Sequence, residues 1–261
     1  MKKRTIFYFV ALSVIIVNSN NALRAAQPQM AVLLYHHLLP AGVNNTYKNN
    51  GFVISTESFA LQMEYLYKNN YHTVTSDELR SYLYDRKPLP PKSVMITFDD
   101  VYMSNYIYAY PVLKQYGFDA VIFAITGSVQ TKAHDYNPSQ LDMLAWPQVM
   151  ASLDVFEYGS HTHALHNAKN GKTDFISVPI DEAQADLLLS QKRINNKDIF
   201  SYPYGQYNAE IVDMLQNNGV ILAFTVNEGY VNNTSNPLLL DRITVYSDFD
   251  IETFERVVTC E

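Results

Sequence analysis

Residues 95–105 read MITFDDVYMSN. An apolar run (Val94, Met95, Ile96) leads straight into two adjacent carboxylates, Asp99 and Asp100, and an aromatic follows at Tyr102. The run reads as a buried strand. Two neighbouring charges at its end call for a partner or a ligand, because an unpaired buried carboxylate is costly. A turn or a helix cap accounts readily for one Asp and less well for two.

Outward from this strand the chain repeats one unit, a short apolar run followed by a helix-like segment. MAVLLYHH (30–37) reads as a strand. STESFALQMEYLYKNN (55–70) reads as a helix, with Phe59, Met63 and Leu66 at i, i+4 and i+7 and Ser55 or Thr56 placed to cap it. YHTVT (71–75) is a short strand, and SDELRSYLYD (76–85) a short helix with Ser76 at its cap. SNYIYAYPVLKQYG (104–117) is a helix with Pro111 in or near a kink and Gly117 as its stop. DAVIFAIT (119–126), VFEYGSHT (155–162), DIFSYPYG (198–205), VILAFTV (220–226) and RITVYS (242–247) continue the strands. DEAQADLLLSQKRINN (181–196), NAEIVDMLQNNG (208–219) and DIETFERVVT (250–259) are the helices among and after them. Apolar strands alternating with helices imply parallel pairing under a helical cover. Seven or eight such units favour a closed or nearly closed barrel over an open sheet, and the fold expected is α/β, a single distorted (β/α) barrel of about seven strands. The polar, Asn-rich stretch 39–51 reads as a loop.

The 261 residues suit one large α/β domain or two small ones, and 48% hydrophobic against 17% charged residues supply a core. A net charge of −7 argues against nucleic acid as a partner. Twenty Tyr suit flat ligands with polar edges such as sugars, and equally an ordinary Tyr-rich core. The amino terminus carries MKKR, then thirteen largely apolar residues (TIFYFVALSVIIV), then SNN and the small-residue stretch ALRAA. This is the pattern of a signal peptide over 1–26, or of a retained membrane anchor, and it places the remaining domain (30–261) outside the cytoplasm. The single cysteine, Cys260, excludes an intramolecular disulfide and a Cys-based zinc site, so any metal falls to His, Asp or Glu.

In a βα barrel, reactive groups collect where strands end. Here the strand ends carry Tyr35-His36-His37, Asp99-Asp100, Ser160-His161-Thr162-His163-Ala164-Leu165-His166, and Tyr202-Pro203-Tyr204-Gly205. Five of the seven His fall at two of these ends. One carboxylate with two imidazoles makes an open site for a divalent metal. Spacing leaves the pair undecided. His161 and His166 converge only across a loop, His161 and His163 share a strand face, and His163 and His166 share a helix face.

The motifs TFDD (97–100), SHTHALH (160–166) and YPYG (202–205) together resemble the polysaccharide deacetylases, metal-dependent carbohydrate esterases with a NodB-homology barrel. The histidine motif is one residue longer than the family's usual form. With LLYHH and FSYPYG it is similar to the branch acting on poly-β-1,6-N-acetylglucosamine of biofilm matrix. The resemblance runs from Met30 to Thr259. It implies Asp100, His161 and His166 as ligands of one divalent ion, with zinc expected and cobalt, nickel or iron compatible. It implies Asp99 as general base, His36 as general acid, the Tyr204 N–H as oxyanion donor and Trp146 as an aromatic wall of the sugar pocket. A core Trp at a helix start explains Trp146 nearly as well. The implied partner is an N-acetylglucosamine polysaccharide outside the cell, with peptidoglycan or chitin-like oligomers as the alternative substrate. The family's TFDDG carries Val101 here in place of Gly. A β-branched residue adopts the backbone geometry Gly permits only reluctantly, which leaves an inactive carbohydrate-binding protein as a further alternative. Asp241 or Arg242, in LLLDRITV, is placed to orient a catalytic group, or to form an ordinary salt bridge.

Overall fold

The computed structural model describes residues 29–260. The signal or anchor read at 1–26 lies outside the described residues. Seven parallel strands close a barrel: β1 (Gln29–Tyr35), β2 (Ser93–Asp99), β3 (Ala120–Ala124), β4 (Phe156–Ser160), β5 (Ile199–Ser201), β6 (Leu222–Glu228) and β7 (Leu240–Thr244). Each pairs with the next in chain order, and β7 returns to β1 through Leu33–Ile243 and Leu34–Thr244. His72–Thr73 extends the sheet beside the start of β2, and Val231–Asn232 runs antiparallel to the start of β1.

Successive residues of a strand face opposite sides, so each strand sorts its side chains into two sets. Val32, Met95, Val121, Phe123, Ile199, Leu222, Phe224 and Leu240 form one packed cluster, the barrel interior. Their neighbours Leu33, Tyr35, Ile96, Phe98 and Ile122 belong to a second cluster shared with the outer helices. Gly159 is required by this packing: a Cβ there would lie 2.7 Å from the Phe123 ring and 2.8 Å from Ile199. Continuing along the inward positions of β2, β5 and β7, the apolar residues give way to Thr97, Asp99, Ser201 and Arg242, all buried. The interior is therefore greasy below and polar at its carboxyl-terminal end.

The helices form where the sequence pattern places them. Helix α1 (Thr56–Lys68) is capped by Ser55, whose side chain accepts the Ser58 N–H, and buries Phe59, Met63 and Leu66. Each such burial stabilises the fold by roughly 1.5–3 kcal/mol. Helix α2 (Ser76–Tyr84) differs from expectation in its cap. Thr75, not Ser76, takes that position, because Glu78 three residues later completes a capping box with it. Pro111 lies in the first turn of α3 (Tyr110–Tyr116), directly after a π-helical turn over Asn105–Ala109, and Gly117 ends the helix at φ 68°. Helices α4 (Trp146–Ala151), α5 (Ile180–Ile194), α6 (Ala209–Asn217) and α7 (Ile251–Thr259) complete the cover.

Candidate active site

A cavity of about 330 Å³ opens at the carboxyl-terminal end of the barrel. Its lining includes His36, His37, Asp99, Asp100, His161, His166 and Tyr204, delivered by the ends of β1, β2, β4 and β5. Asp99 ends β2 on the inward face. Asp100 follows at φ 78° and Val101 at φ 69°, two consecutive left-handed residues, with Val101 fully buried.

Asp99 is clasped by Arg242, which is fully buried on β7. Arg242 Nη1 donates to Oδ1 at 2.9 Å and Nη2 to Oδ2 at 2.8 Å. Its remaining N–H groups donate to Thr97 Oγ1 (3.2 Å), Ser201 Oγ (2.9 Å) and the Thr225 carbonyl (2.7 Å). All five donors of the guanidinium are thus used. Its underside lies 5.7 Å from the centre of the Phe123 ring. Burial alone would raise the Asp99 carboxyl, but the Arg242 guanidinium reverses this by charge and by hydrogen bonding and holds it well below the usual carboxylate range.

Asp100 has the opposite balance. Burial, with the Asp99 charge added, raises its carboxyl despite His36 and Tyr102 nearby. Tyr102 donates its hydroxyl to Asp100 Oδ2 at 3.0 Å, and Oδ1 faces His166 Nε2 at 3.4 Å and His161 Nε2 at 3.7 Å. His161 Nδ1 lies 2.7 Å from the Ser201 carbonyl, which only accepts, so Nδ1 carries the proton and Nε2 presents a lone pair. The two Nε2 atoms are 3.1 Å apart. Burial pushes the His161 imidazole down to about 3 and lowers His166 as well, so both are neutral donors at pH 7.

This donor set fits a divalent cation. Zn–N and Zn–O bonds of about 2.1 Å in a tetrahedron put neighbouring ligand atoms about 3.4 Å apart, and the three separations here are 3.1, 3.4 and 3.7 Å. Three ligand atoms from two imidazoles and a carboxylate thus converge on one point, as a cation site requires. The 161–166 loop that brings the two His together is held by Asp186 of α5, whose carboxylate accepts the N–H groups of His163 (2.6 Å) and Ala164 (2.7 Å). His163 itself turns away to Thr126 Oγ1 at 2.9 Å.

His36 and His37 both line the cavity but differ in setting. His37 is buried, with Nδ1 2.7 Å from Ser104 Oγ, and burial lowers it to about 4. His36 is only partly buried, its ring 5.0 Å from that of Phe52. Tyr204 stands at the rim in a left-handed conformation (φ 53°, ψ 21°), its ring 4.9 Å from His166. Gly205 beside it has φ 69°, and a Cβ there would strike Val226 Cγ2.

Trp146 departs from expectation. It lies at the start of α4, outside the cavity lining, packed on the outer core with the Arg193 guanidinium 5.4 Å from its ring. The ring that the family resemblance assigns to the sugar pocket covers hydrophobic surface instead, as a core Trp at a helix start does. Arg242, Ser201, Tyr102 and Asp186 all position the site, and only Arg242 had a signal in the sequence, as a guanidinium inside an apolar strand.

Comparison with known proteins agrees with this geometry. The polysaccharide deacetylase family model matches residues 86–236. A poly-β-1,6-N-acetyl-D-glucosamine N-deacetylase of Staphylococcus epidermidis is 30% identical, over 76% of this chain and 69% of its own. Its namesake from Staphylococcus aureus is 28% identical, over 88% of this chain and 83% of its own. The solved structure of IcaB from Ammonifex degensii superposes with a TM-score of 0.72 at 27% identity, covering 89% of this chain and 97% of that one. The chain belongs to the polysaccharide deacetylase family and is a hydrolase of amide bonds.

Proposed function

We propose that this chain removes acetyl groups from β-1,6-linked poly-N-acetylglucosamine outside the cell, with a divalent cation held by Asp100, His161 and His166. The observation that carries the reading is the pairing of two unlike carboxylates: Asp99 locked to Arg242 and Asp100 converging with two neutral imidazoles. Relatives named for this polymer, at 28–30% identity, support the substrate. The leader or anchor read at 1–26 accords with export.

The cation, when bound, polarises the acetamide carbonyl and lowers the pKa of water from 15.7 to about 7. The donor set suits zinc best and accepts cobalt, nickel or iron. Asp99 takes the proton of the attacking water, and Arg242 keeps that carboxylate ionised and aimed. The backbone N–H of Tyr204 meets the developing oxyanion. His36 gives its proton to the departing sugar amine, and acetate leaves. His37, at about 4, is deprotonated at neutral pH and unsuited to that step. Val101 does not scatter the set: Asp99, Asp100, His161, His166 and His36 still line one cavity, which favours an active enzyme.

The test is acetate release from β-1,6- and β-1,4-linked N-acetylglucosamine oligomers after EDTA stripping and addition of Zn²⁺, Co²⁺ or Ni²⁺. Cation-dependent release from the β-1,6 oligomer, lost in Asp99→Asn, is expected. Release from β-1,4 oligomers alone would overturn the substrate, and full activity of Asp99→Asn would overturn the role of the base.

A further inference from the structure

The rim of the cavity is unusually apolar for an exposed surface. Phe52, Leu141, Tyr204, Val226 and Tyr246 are all solvent-exposed and all line it. Two of them form a built feature. The Phe52 ring lies 5.6 Å from that of Tyr246 at 48°, and they are 44% and 36% exposed. Tyr246 is backed by Phe249, 6.0 Å away, and by the Gly51 backbone, where an added Cβ would sit 3.5 Å from its ring. The Ser247 N–H donates to the Gly51 carbonyl at 2.8 Å, tying the two loops that carry the rings. Asn50 lines the same cavity, and its amide oxygen accepts the Phe52 N–H at 3.0 Å, which leaves its NH₂ to donate elsewhere.

We propose that Phe52 and Tyr246, with Asn50 at their edge, form a second sugar subsite that holds the pyranose unit next to the one being deacetylated. This rests on the deacetylase reading above. A pyranose is amphipathic, with C–H groups on its face and hydroxyls around its edge, and matches an exposed aromatic face flanked by an amide donor. The platform continues directly from His36, whose ring touches Phe52. His36 belongs to the reacting unit, and Phe52 then Tyr246 continue the row of rings from it, which is where the neighbouring unit falls. The chain therefore discriminates a polymer from a single N-acetylglucosamine.

The experiment is calorimetric binding of β-1,6-linked N-acetylglucosamine pentamer and of single N-acetylglucosamine to the full metal-stripped chain. Removing roughly 50 Å² of ring face from the contact weakens binding about tenfold. The ratio of pentamer to single-unit affinity is expected to fall by that factor in Tyr246→Ala and to recover in Tyr246→Trp. Should Tyr246→Ala fail to fold, saturation transfer from the aromatic protons of the wild-type chain to the sugar C–H protons replaces it, with two units labelled rather than one. An unchanged ratio, or transfer to a single unit, overturns the subsite. Pentamer binding as described without acetate release under any cation would instead overturn the deacetylase reading and leave the subsite standing.

Discussion

Replacing Arg242 by Met keeps much of its length and removes its charge and all five donors. The guanidinium is fully buried and its bidentate partner Asp99 nearly so, with N–O distances of 2.8 and 2.9 Å. Breaking a buried pair by deleting one partner costs about 3–5 kcal/mol, because the remaining charge stays in low dielectric without compensation. The Thr225 carbonyl loses a 2.7 Å bond, which adds about 1 kcal/mol. Water reaching the site from the cavity recovers part of this, so a net loss of about 4 kcal/mol is expected. Urea unfolding of the metal-stripped protein at pH 7 measures it. The double variant Asp99→Asn/Arg242→Met separates the pair from the rest, with a coupling of about 2–3 kcal/mol expected. Arg242→Lys, with three donors on one point instead of a fork, should recover less than half of the loss. Unfolding of Arg242→Met within about 1 kcal/mol of wild type, or a coupling below about 0.5 kcal/mol, would refute the claim that Arg242 holds Asp99.

Three further outcomes follow from the same structure. Val101→Gly relieves a left-handed β-branched residue and should be about 2 kcal/mol less damaging than Val94→Gly, an equally buried valine in the extended strand β2, by urea unfolding of both. Tyr102→Phe frees Asp100 Oδ2 and should weaken Zn²⁺ binding about tenfold to a hundredfold in competition with a chromophoric chelator; unchanged affinity would remove Tyr102 from the site. Glu157, half-buried beneath Asn196, has its carboxyl raised above the ordinary 4.5 by burial. The folded state therefore favours the protonated form, and stability falls as pH rises above 4.5. Glu157→Gln does not titrate, so it should gain on wild type in thermal unfolding as pH rises from 4 to 8. An equal gap at both ends would contradict this.

Much of the barrel is legible in the sequence because its strands are apolar on both faces and its helices carry clear periodicity. Phe59, Met63 and Leu66 turn inward together as their spacing requires. The strand ends are legible for the same reason: a polar cluster such as Ser160–His166 stands out against an apolar run. Side-chain destinations are harder. Resemblance alone assigns Trp146 to the sugar pocket, and which way a helix start faces depends on packing that comes from distant strands. Arg242 reads as a salt bridge or an orienting group with equal ease, since its partner lies 143 residues away. Asp186 looks like any acidic residue on the solvated face of a helix, and its bonds to two backbone N–H groups exist only once α5 meets the 161–166 loop.

Two adjacent carboxylates should not serve one site, because neighbouring residues of a strand point to opposite faces. Asp99 obeys the alternation: it follows Met95 and Thr97 on the inward face and meets Arg242 there. Asp100, continued as strand, would point outward into the packed layer of Phe98 and Ile96. Instead its N–H still bonds to the Phe123 carbonyl at 3.1 Å, while φ swings to 78°. That one rotation breaks the period of two and turns the second carboxylate back over the barrel, where its Oδ1 lies 3.4 Å from His166. Val101 extends the left-handed turn, so that two residues depart from the preferred backbone at about 1–2 kcal/mol each. The Asp100–Phe123 ladder bond and the Tyr102 hydroxyl hold the turn in place. The pair is thus split by geometry into two environments. One carboxylate is neutralised by a guanidinium below and kept ionised, and the other is left without a fixed cation of its own, facing two imidazole nitrogens. On the proposed roles, a base and a ligand one residue apart require the chain to leave the strand conformation between them, and the strained turn at Asp100 and Val101 is where it does so.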